Sequence, residues 1–283
     1  MNQITITPEE LAVWSRYVHE ICGVHLDNSK GYLLETRLGE LLQEAATSSF
    51  AELYYKAKSD LTHGLRRKII DAITTNETSF FRDVSLFELL RHKLIPDLID
   101  RRTKTGLRPI PIRIWSAACS TGQEVYSTCI VLKELLGDFG GYDVRILGTD
   151  ISDKAVAQAS YGSYSRQELD RGMPEDKLSK YFEPNGERWR IRDELRAPAM
   201  FKTMNLLEPF TFPVPFDIIL CRNVAIYFTE PDKVRLFKNI GKYLAKDGGL
   251  IIGSTESISG LCPEFESRRY LRAVFYQIKD PRP

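Results

Sequence analysis

The sequence predicts an α/β fold: a doubly wound, mostly parallel sheet with an antiparallel edge strand, a small β insertion, and a helical domain in front. Three observations carry this prediction. From Ile112 onward, apolar runs of strand length alternate with amphipathic helical patterns, the order that builds a parallel sheet covered on both faces. Ahead of that point the periodicity is helical, broken only at Asn76-Glu-Thr-Ser-Phe-Phe-Arg82. The strand Arg113–Ala117 runs into a turn of small residues, Ala118-Cys-Ser-Thr-Gly-Gln-Glu124, which opens a helix and lets backbone approach a ligand at the C-terminal edge of such a sheet.

The first helix starts at Thr7-Pro-Glu-Glu10, with Thr7 as N-cap, Pro8 at the first helical position and Glu10 closing a capping box. Leu11, Trp14, Val18 and Ile21 make its apolar face, and Gly23 stops it. A second helix covers Tyr32–Ala46, with Leu33, Leu34, Leu38, Leu41 and Leu42 inward. Ser48 or Ser49 caps a third, carrying Leu53 and Tyr54, and a fourth spans Gly64–Ile73. Asp83 caps a helix from Val84 to about Asp100, and the polar stretch Arg101–Pro109 leads to the first strand. Then come helix Glu124–Leu136, a strand from Asp143 to Gly148 with Asp150 at its end, and a helix capped by Ser152. Strand Phe216–Cys221 leads to a helix from Glu230 to Asp247-Gly-Gly, followed by strand Leu250–Gly253. Residues 265–279 read as two extended pieces about a short turn. Tyr181–Arg192, turning at Pro-Asn-Gly, and Ala199-Met-Phe-Lys202 replace a simple crossover helix and form the β insertion.

Bulk properties exclude several classes. The chain has 283 residues, 43% hydrophobic and 27% charged, with a formal net charge of +1, so no global preference for nucleic acid or anionic membrane follows. Its 5 cysteines lack a C-x-x-C pair, which argues against a disulfide framework or a zinc site and for a reducing compartment. No apolar run approaches the ~20 residues of a membrane span, and no signal peptide precedes the first helix. The expected location is the cytoplasm.

Three strand ends carry groups suited to a nucleoside cofactor. The Cys119–Glu124 turn offers close backbone and the Glu124 carboxylate, Asp150 offers a ribose acceptor, and Arg222-Asn223 follows the strand ending at Cys221. Each has an ordinary structural alternative: a strand-to-helix turn with Ser120 as N-cap, an N-cap aspartate, and solvated loop residues. Cys119 has no histidine evidently beside it, since His19, His25, His63 and His92 lie in the helical part and read as partly exposed helix residues; it reads as a small buried residue. Met200 and Met204 read as core fillers, and Arg66-Arg67-Lys68 as a solvated face.

Taken together, Asn76–Arg82, Ala118–Glu124, Gly148-Thr-Asp150, Asn205-Leu206 and Cys221-Arg-Asn-Val-Ala-Ile-Tyr-Phe228 resemble the chemotaxis receptor glutamate methyltransferase family (CheR), in that family's order along most of the chain. The resemblance implies a Rossmann-like class I methyltransferase that uses S-adenosylmethionine, releases S-adenosylhomocysteine and needs no metal. It implies a receptor-reading helical domain over 1–75 and a methyltransferase domain over 76–283, with the β insertion at about 178–203. Asn76, Thr78 and Arg82 would approach the cofactor from the interdomain segment, Glu124 would meet its polar groups, and Asp150 its ribose. Asn205 and Leu206 would flank adenine, with Arg222 and Asn223 near the methionine portion. Arg82 and Tyr227 are the implied catalytic pair, orienting the substrate carboxylate.

The implied substrate is a set of glutamates on the acidic cytoplasmic helical bundle of a chemoreceptor, methylated on oxygen to tune adaptation. Arg37, Arg66, Arg67 and Lys68 would face that bundle's carboxylates. A glutamate carboxylate, with a reference pKa of about 4.3, is ionised near neutral pH and needs no general base, so a missing catalytic histidine is expected. Two departures from the family pattern stand out. Ala225 replaces a common Met and repacks a wall, and the loop Glu183-Pro-Asn-Gly-Glu187 is shorter than in members that dock on a receptor's C-terminal tether peptide, so tether-independence is expected. The protein is read as a monomer that neither binds nucleic acid nor inserts into membrane; a non-catalytic cofactor sensor and a nucleic-acid or small-molecule methyltransferase are the competing readings.

Overall fold

The computed structural model describes residues 4–279. Four helices build the front domain: α1 (Pro8–Cys22), α2 (Gly31–Glu44), α3 (Phe50–Ser59) and α4 (Gly64–Ile73). The capping box forms, with Glu10 N donating to Thr7 Oγ1 at 3.2 Å and Thr7 N donating to Glu10 Oε2 at 2.9 Å. Gly23 ends α1 in the left-handed region at φ +75°. Ser49 is the cap of α3. Trp14, Leu34, Leu38, Phe50, Leu53 and Ile69 are fully buried where the helices meet, so the predicted apolar faces close on one core.

The helix expected from Val84 to Asp100 is helical along that length but not uniform. It runs as Val84–Leu89, a π turn Leu90–Leu94, and Ile95–Thr103. Pro96 explains the widened turn: it has no N–H to give, and its ring excludes the carbonyl four residues back. Asp83 is the N-cap residue, but its side chain does not bond the backbone of the first turn. It sits at φ +71°, and its carboxylate accepts from Ser85 Oγ at 2.5 Å and Arg222 Nη2 at 3.2 Å.

Ten strands follow in chain order: β1 (Ile110–Ala117), β2 (Tyr142–Asp150), β3 (Ser163–Tyr164), β4 (Phe182–Asn185), β5 (Arg188–Ile191), β6 (Ala199–Thr203), β7 (Phe216–Cys221), β8 (Leu244–Ile252), β9 (Phe265–Tyr270) and β10 (Ala273–Ile278). Seven form the main sheet in the order β6-β2-β1-β7-β8-β10-β9. Strands β6 to β8 in that order are parallel; β10 and β9 add an antiparallel edge. The expected doubly wound sheet is therefore present, with two antiparallel strands at its edge.

Two assignments change. Ala199–Thr203 belongs to the main sheet, pairing Leu147 with Met200 beside β2; the insertion sheet is instead β3-β5-β4 and begins at Ser163. Strand pattern alone does not name a partner, and a short edge strand resembles a hairpin arm. Met200 is accordingly 67% exposed, not a core filler, while Met204 is partly buried against the β7–β8 layer. Secondly, the helix from Glu230 ends at Gly241, and Asp247-Gly-Gly lies inside β8. The register jumps from Phe216↔Leu244 to Ile218↔Gly249, so the intervening residues bulge.

The chain winds outward from β1 in both directions, through β2 to β6 and through β7 to β8. The change of direction falls between β1 and β7, where the loops at the strands' C-terminal ends part to leave a crevice.

Candidate functional site

The turn after β1 is built from left-handed residues. Ala118, Ser120 and Gly122 have φ of +63°, +51° and +96°. A Cβ on Gly122 would lie 2.9 Å from Ala159 Cβ, so the small residue is needed for both conformation and space. Helix Gln123–Leu136 starts here with Gly122, not Ser120, as its N-cap. Ser120 instead ties three elements together: its N–H donates to Asp150 Oδ2 at 2.8 Å and its hydroxyl to Asn76 O at 3.1 Å.

Asp150, at the end of β2, also accepts Ser152 N at 3.0 Å. Burial raises its carboxyl above the ordinary value of 3.8, opposed by these backbone bonds. Glu124 has both oxygens engaged, one by Ser116 Oγ at 2.7 Å and one by Arg222 Nη1 at 2.8 Å. Arg222 is 7% exposed, and its Nη2 reaches Arg82 O at 3.1 Å as well as Asp83. Its Nε–H is buried without a partner. Asn223, at φ +57°, opens a loop that continues into the 3₁₀ turn Ala225–Tyr227.

Asn76, Thr78, Arg82, Glu124, Asp150, Asn205, Leu206, Arg222, Asn223 and Tyr227 all line one cavity of about 380 Å³. Arg82 is exposed at its wall and gives one N–H to Glu77 O at 2.9 Å. Asn205 spends its amide on Ile21 O at 3.3 Å and Glu208 Oε1 at 3.2 Å, and its oxygen accepts Leu207 N at 3.0 Å.

The front domain supplies a wall of this cavity that sequence reasoning missed. Val24, His25, Leu26, Lys30, Tyr32 and Leu33 line it, as do Thr74 and Thr75. His25 is thus an exposed loop residue at the cavity and not a helix residue; its N–H donates to Tyr227 O at 2.9 Å. No local pattern carries this signal, because the wall forms only when the two domains pack. Cys119 is 2% exposed, and burial, with Asp150 and Glu124 adding to it, lifts its thiol well above the ordinary range.

Arg67 and Lys68 remain exposed as expected of a basic face, whereas Arg37 does not belong to it. Arg37 turns inward, its Nη1 donating to Ala72 O, Ile73 O and Thr74 O at 3.3, 2.8 and 2.9 Å, and its Nη2 to Thr75 Oγ1 at 3.0 Å. Arg66 and Arg67 pair with Glu208 and Asp153 across the domain seam at 3.3 and 3.7 Å, and Lys68 pairs with Glu44 at 2.7 Å. Burial of carbonyls at the end of α4 explains Arg37: a guanidinium satisfies several at once and complements the helix dipole.

A Rossmann-like sheet with an acid at the second strand end and a small-residue turn after the first defines a nucleoside-cofactor-binding domain, of the kind found in class I methyltransferases. Residues 76–273 match the family described as CheR methyltransferase, SAM binding domain, and residues 9–74 match CheR methyltransferase, all-alpha domain. The chain is 34% identical over 268 residues to the chemotaxis protein methyltransferase Cher2 of Pseudomonas putida, covering 93% of this chain and 95% of that one. It is also 34% identical over 282 residues to chemotaxis protein methyltransferase 1 of Vibrio cholerae, covering 99% and 100%. A chemotaxis protein methyltransferase of Borreliella burgdorferi matches at 34% over 260 residues, covering 91% of each chain. This protein belongs to the CheR methyltransferase family: it is a chemotaxis methyltransferase with an S-adenosylmethionine-binding domain.

The residues present fit that cofactor. The cavity volume lies within the ~300–1,000 Å³ typical of small-molecule sites. The cavity wall carries the carboxylates of Asp150 and Glu124 beside the cations of Lys30 and Arg82, the mixed charges that a zwitterionic nucleoside requires.

Proposed function

We propose that this methyltransferase esterifies glutamate side chains of the cytoplasmic helical bundle of chemoreceptors, without help from a receptor tether peptide. The observation that carries the reading is the contrast within one cavity between spent and available cations. Arg222 is buried and engaged by Glu124, Asp83 and Arg82 O, whereas Arg82 and Lys30 reach the same cavity from less buried positions. An incoming carboxylate would meet the latter. Tyr32 and Ile226, 61% and 51% exposed on the cavity wall, add apolar surface for the flanks of a helix. The names of the relatives support a chemoreceptor as the acceptor.

S-Adenosylmethionine, when bound, supplies an electrophilic methyl group on its sulfonium. The chain's own residues bind, orient and exclude water. Asp150 would accept the ribose hydroxyls, Glu124 and Arg222 would hold the polar end through their paired charges, and Asn205 and Leu206 would flank the adenine. Asn76, Thr78 and Asn223 would complete the enclosure. Arg82 and Tyr227 would aim one carboxylate oxygen of the substrate at the methyl carbon, Arg82 loosely enough to leave it nucleophilic. The raised Cys119 thiol stays protonated, which favours direct transfer over a covalent relay through that residue. Each ester removes one negative charge from the acceptor bundle and so biases its packing.

Tether-independence is supported by the hairpin of the insertion: Asn185 pairs with Arg188, leaving Gly186-Glu187 alone as the turn. The test is transfer of labelled methyl to cytoplasmic receptor fragments with and without their C-terminal peptide. Alkali-labile label, lost in Glu→Gln fragments and equal with either fragment, is the expected result. Label on RNA or on no receptor fragment overturns the substrate assignment, and binding of the isolated peptide to the insertion overturns the tether statement.

A further inference from the structure

Glu256 lies in the turn after β8 and does not itself line the cavity, yet its carboxylate gathers backbone from the loop that does. Its Oε2 accepts the N–H groups of Asn223 and Gly253, each at 2.7 Å, and its Oε1 accepts that of Ile226 at 3.2 Å. Asn223 is held at φ +57°, in the left-handed region that asparagine enters more readily than most residues with a side chain. Ile226 belongs to the first turn of a 3₁₀ segment, where N–H groups have no partner within the helix. One side chain therefore satisfies donors at both ends of the Asn223–Ile226 stretch and links the β7 loop to the β8 loop.

Gly253 makes the approach possible. A Cβ there would stand 2.4 Å from Glu256 Oε2, 2.8 Å from Asn223 Nδ2 and 3.1 Å from Asn223 N. The first two distances are shorter than a Cβ contact allows and the third is tight, so the carboxylate, the asparagine and the glycine form one closely packed unit. We propose that Glu256 is a positioning residue, acting through Asn223 and Tyr227 to hold the cavity wall in its reactive shape, with Gly253 as the residue that lets the clasp close. The part concerning Tyr227 rests on the methyl-transfer reading above; the part concerning Asn223 does not.

Two double-mutant cycles on the full chain test it. Binding of S-adenosylhomocysteine, measured by calorimetry, is compared for Glu256→Ala, Asn223→Gly and the pair; turnover on a receptor fragment is compared for Glu256→Ala, Tyr227→Phe and the pair. Glu256→Ala is expected to cost about tenfold in each readout, but less than about twofold once its partner is already replaced, the mark of residues acting as one unit. Glu256→Gln keeps one acceptor oxygen and should fall between Ala and Glu; it carries the same cycles if the alanine variant does not fold. Equal fold losses in the single and partnered backgrounds, or no loss in either readout, overturn the proposal. Wild-type protein that binds S-adenosylhomocysteine but modifies no receptor fragment counts against the proposed function alone, and coupled losses in the binding cycle would still uphold the clasp.

Discussion

Arg82 and Arg222 bring the same charge to one cavity from opposite environments. Arg222 is enclosed by two carboxylates and a carbonyl, whereas Arg82 is exposed and spends one N–H on Glu77 O. Arg82→Ala is therefore expected to lower methyl transfer on the order of 10²-fold while changing S-adenosylhomocysteine affinity less than about threefold, since its loss falls on the acceptor side. Tyr227→Phe should lower kcat about tenfold with cofactor affinity nearly intact. Equal losses in binding and turnover would remove either residue from the orienting role. Asp150 gives a pH prediction whose sign can be worked out. Burial raises its carboxyl above 3.8 in the folded chain, so its contribution to stability is present below its unfolded pKa and is lost as pH rises through the folded value. Hydroxyl donors on the carboxylate favour the ionised form. Cofactor affinity should accordingly be higher above the folded pKa and fall as pH drops through it, and Asp150→Asn should flatten that part of a calorimetric pH series.

At the scale of elements, the segment between α4 and the sheet is held by a side chain from elsewhere. Arg37 of α2 binds the carbonyls of Ala72, Ile73 and Thr74, where the chain enters the cavity wall that Thr74, Thr75 and Asn76 help to form. Arg37→Ala should reduce stability by about 1–3 kcal/mol, because part-buried carbonyls lose their donor, and should weaken S-adenosylhomocysteine binding as well. Arg37→Lys should rescue little, since a single ammonium does not reproduce the guanidinium fork. Thermal melts beside calorimetry would check both; unchanged binding in the alanine variant would limit Arg37 to folding. Here the sequence showed the helix and its apolar stripe but not the direction of its arginine. The hydrophobic period reports which face is buried, and a cation beside that face can snorkel to solvent or turn onto a helix end.

Across the whole molecule, the two domains meet at a seam with little room. Gly23, at φ +75°, brings α1 so near the other domain that a Cβ would lie 2.1 Å from Leu207 Cδ1 and 3.1 Å from Phe228 Cε1. His19 meets Asp232 at 2.8 Å nearby. Gly23→Ala should therefore cost about 1–3 kcal/mol from left-handed strain and displacement, and should weaken cofactor binding by shifting Val24 and His25 on the cavity wall. Adding Leu207→Ala should restore part of the binding by removing the collision while leaving the backbone strain. Failure of that second change to recover any affinity would place the effect inside α1 and not at the seam.

The sequence by itself determined the alternation of strand and helix, the four front helices, the strand-end residues Glu124, Asp150 and Arg222, and the family. These depend on local periodicity, capping chemistry and short motifs, which are written in consecutive residues. It misassigned Ala199–Thr203, the end of the helix from Glu230, and the outward face expected of Arg37, because strand partners and the direction of long side chains are set by surfaces distant in the chain. Only the tertiary structure decided that the helical domain is also a wall of the cavity at the strand ends. That wall comes from the packing of Gly23 on Leu207 and from the bond between His25 N and Tyr227 O, both of which join residues about two hundred positions apart, where no local pattern operates.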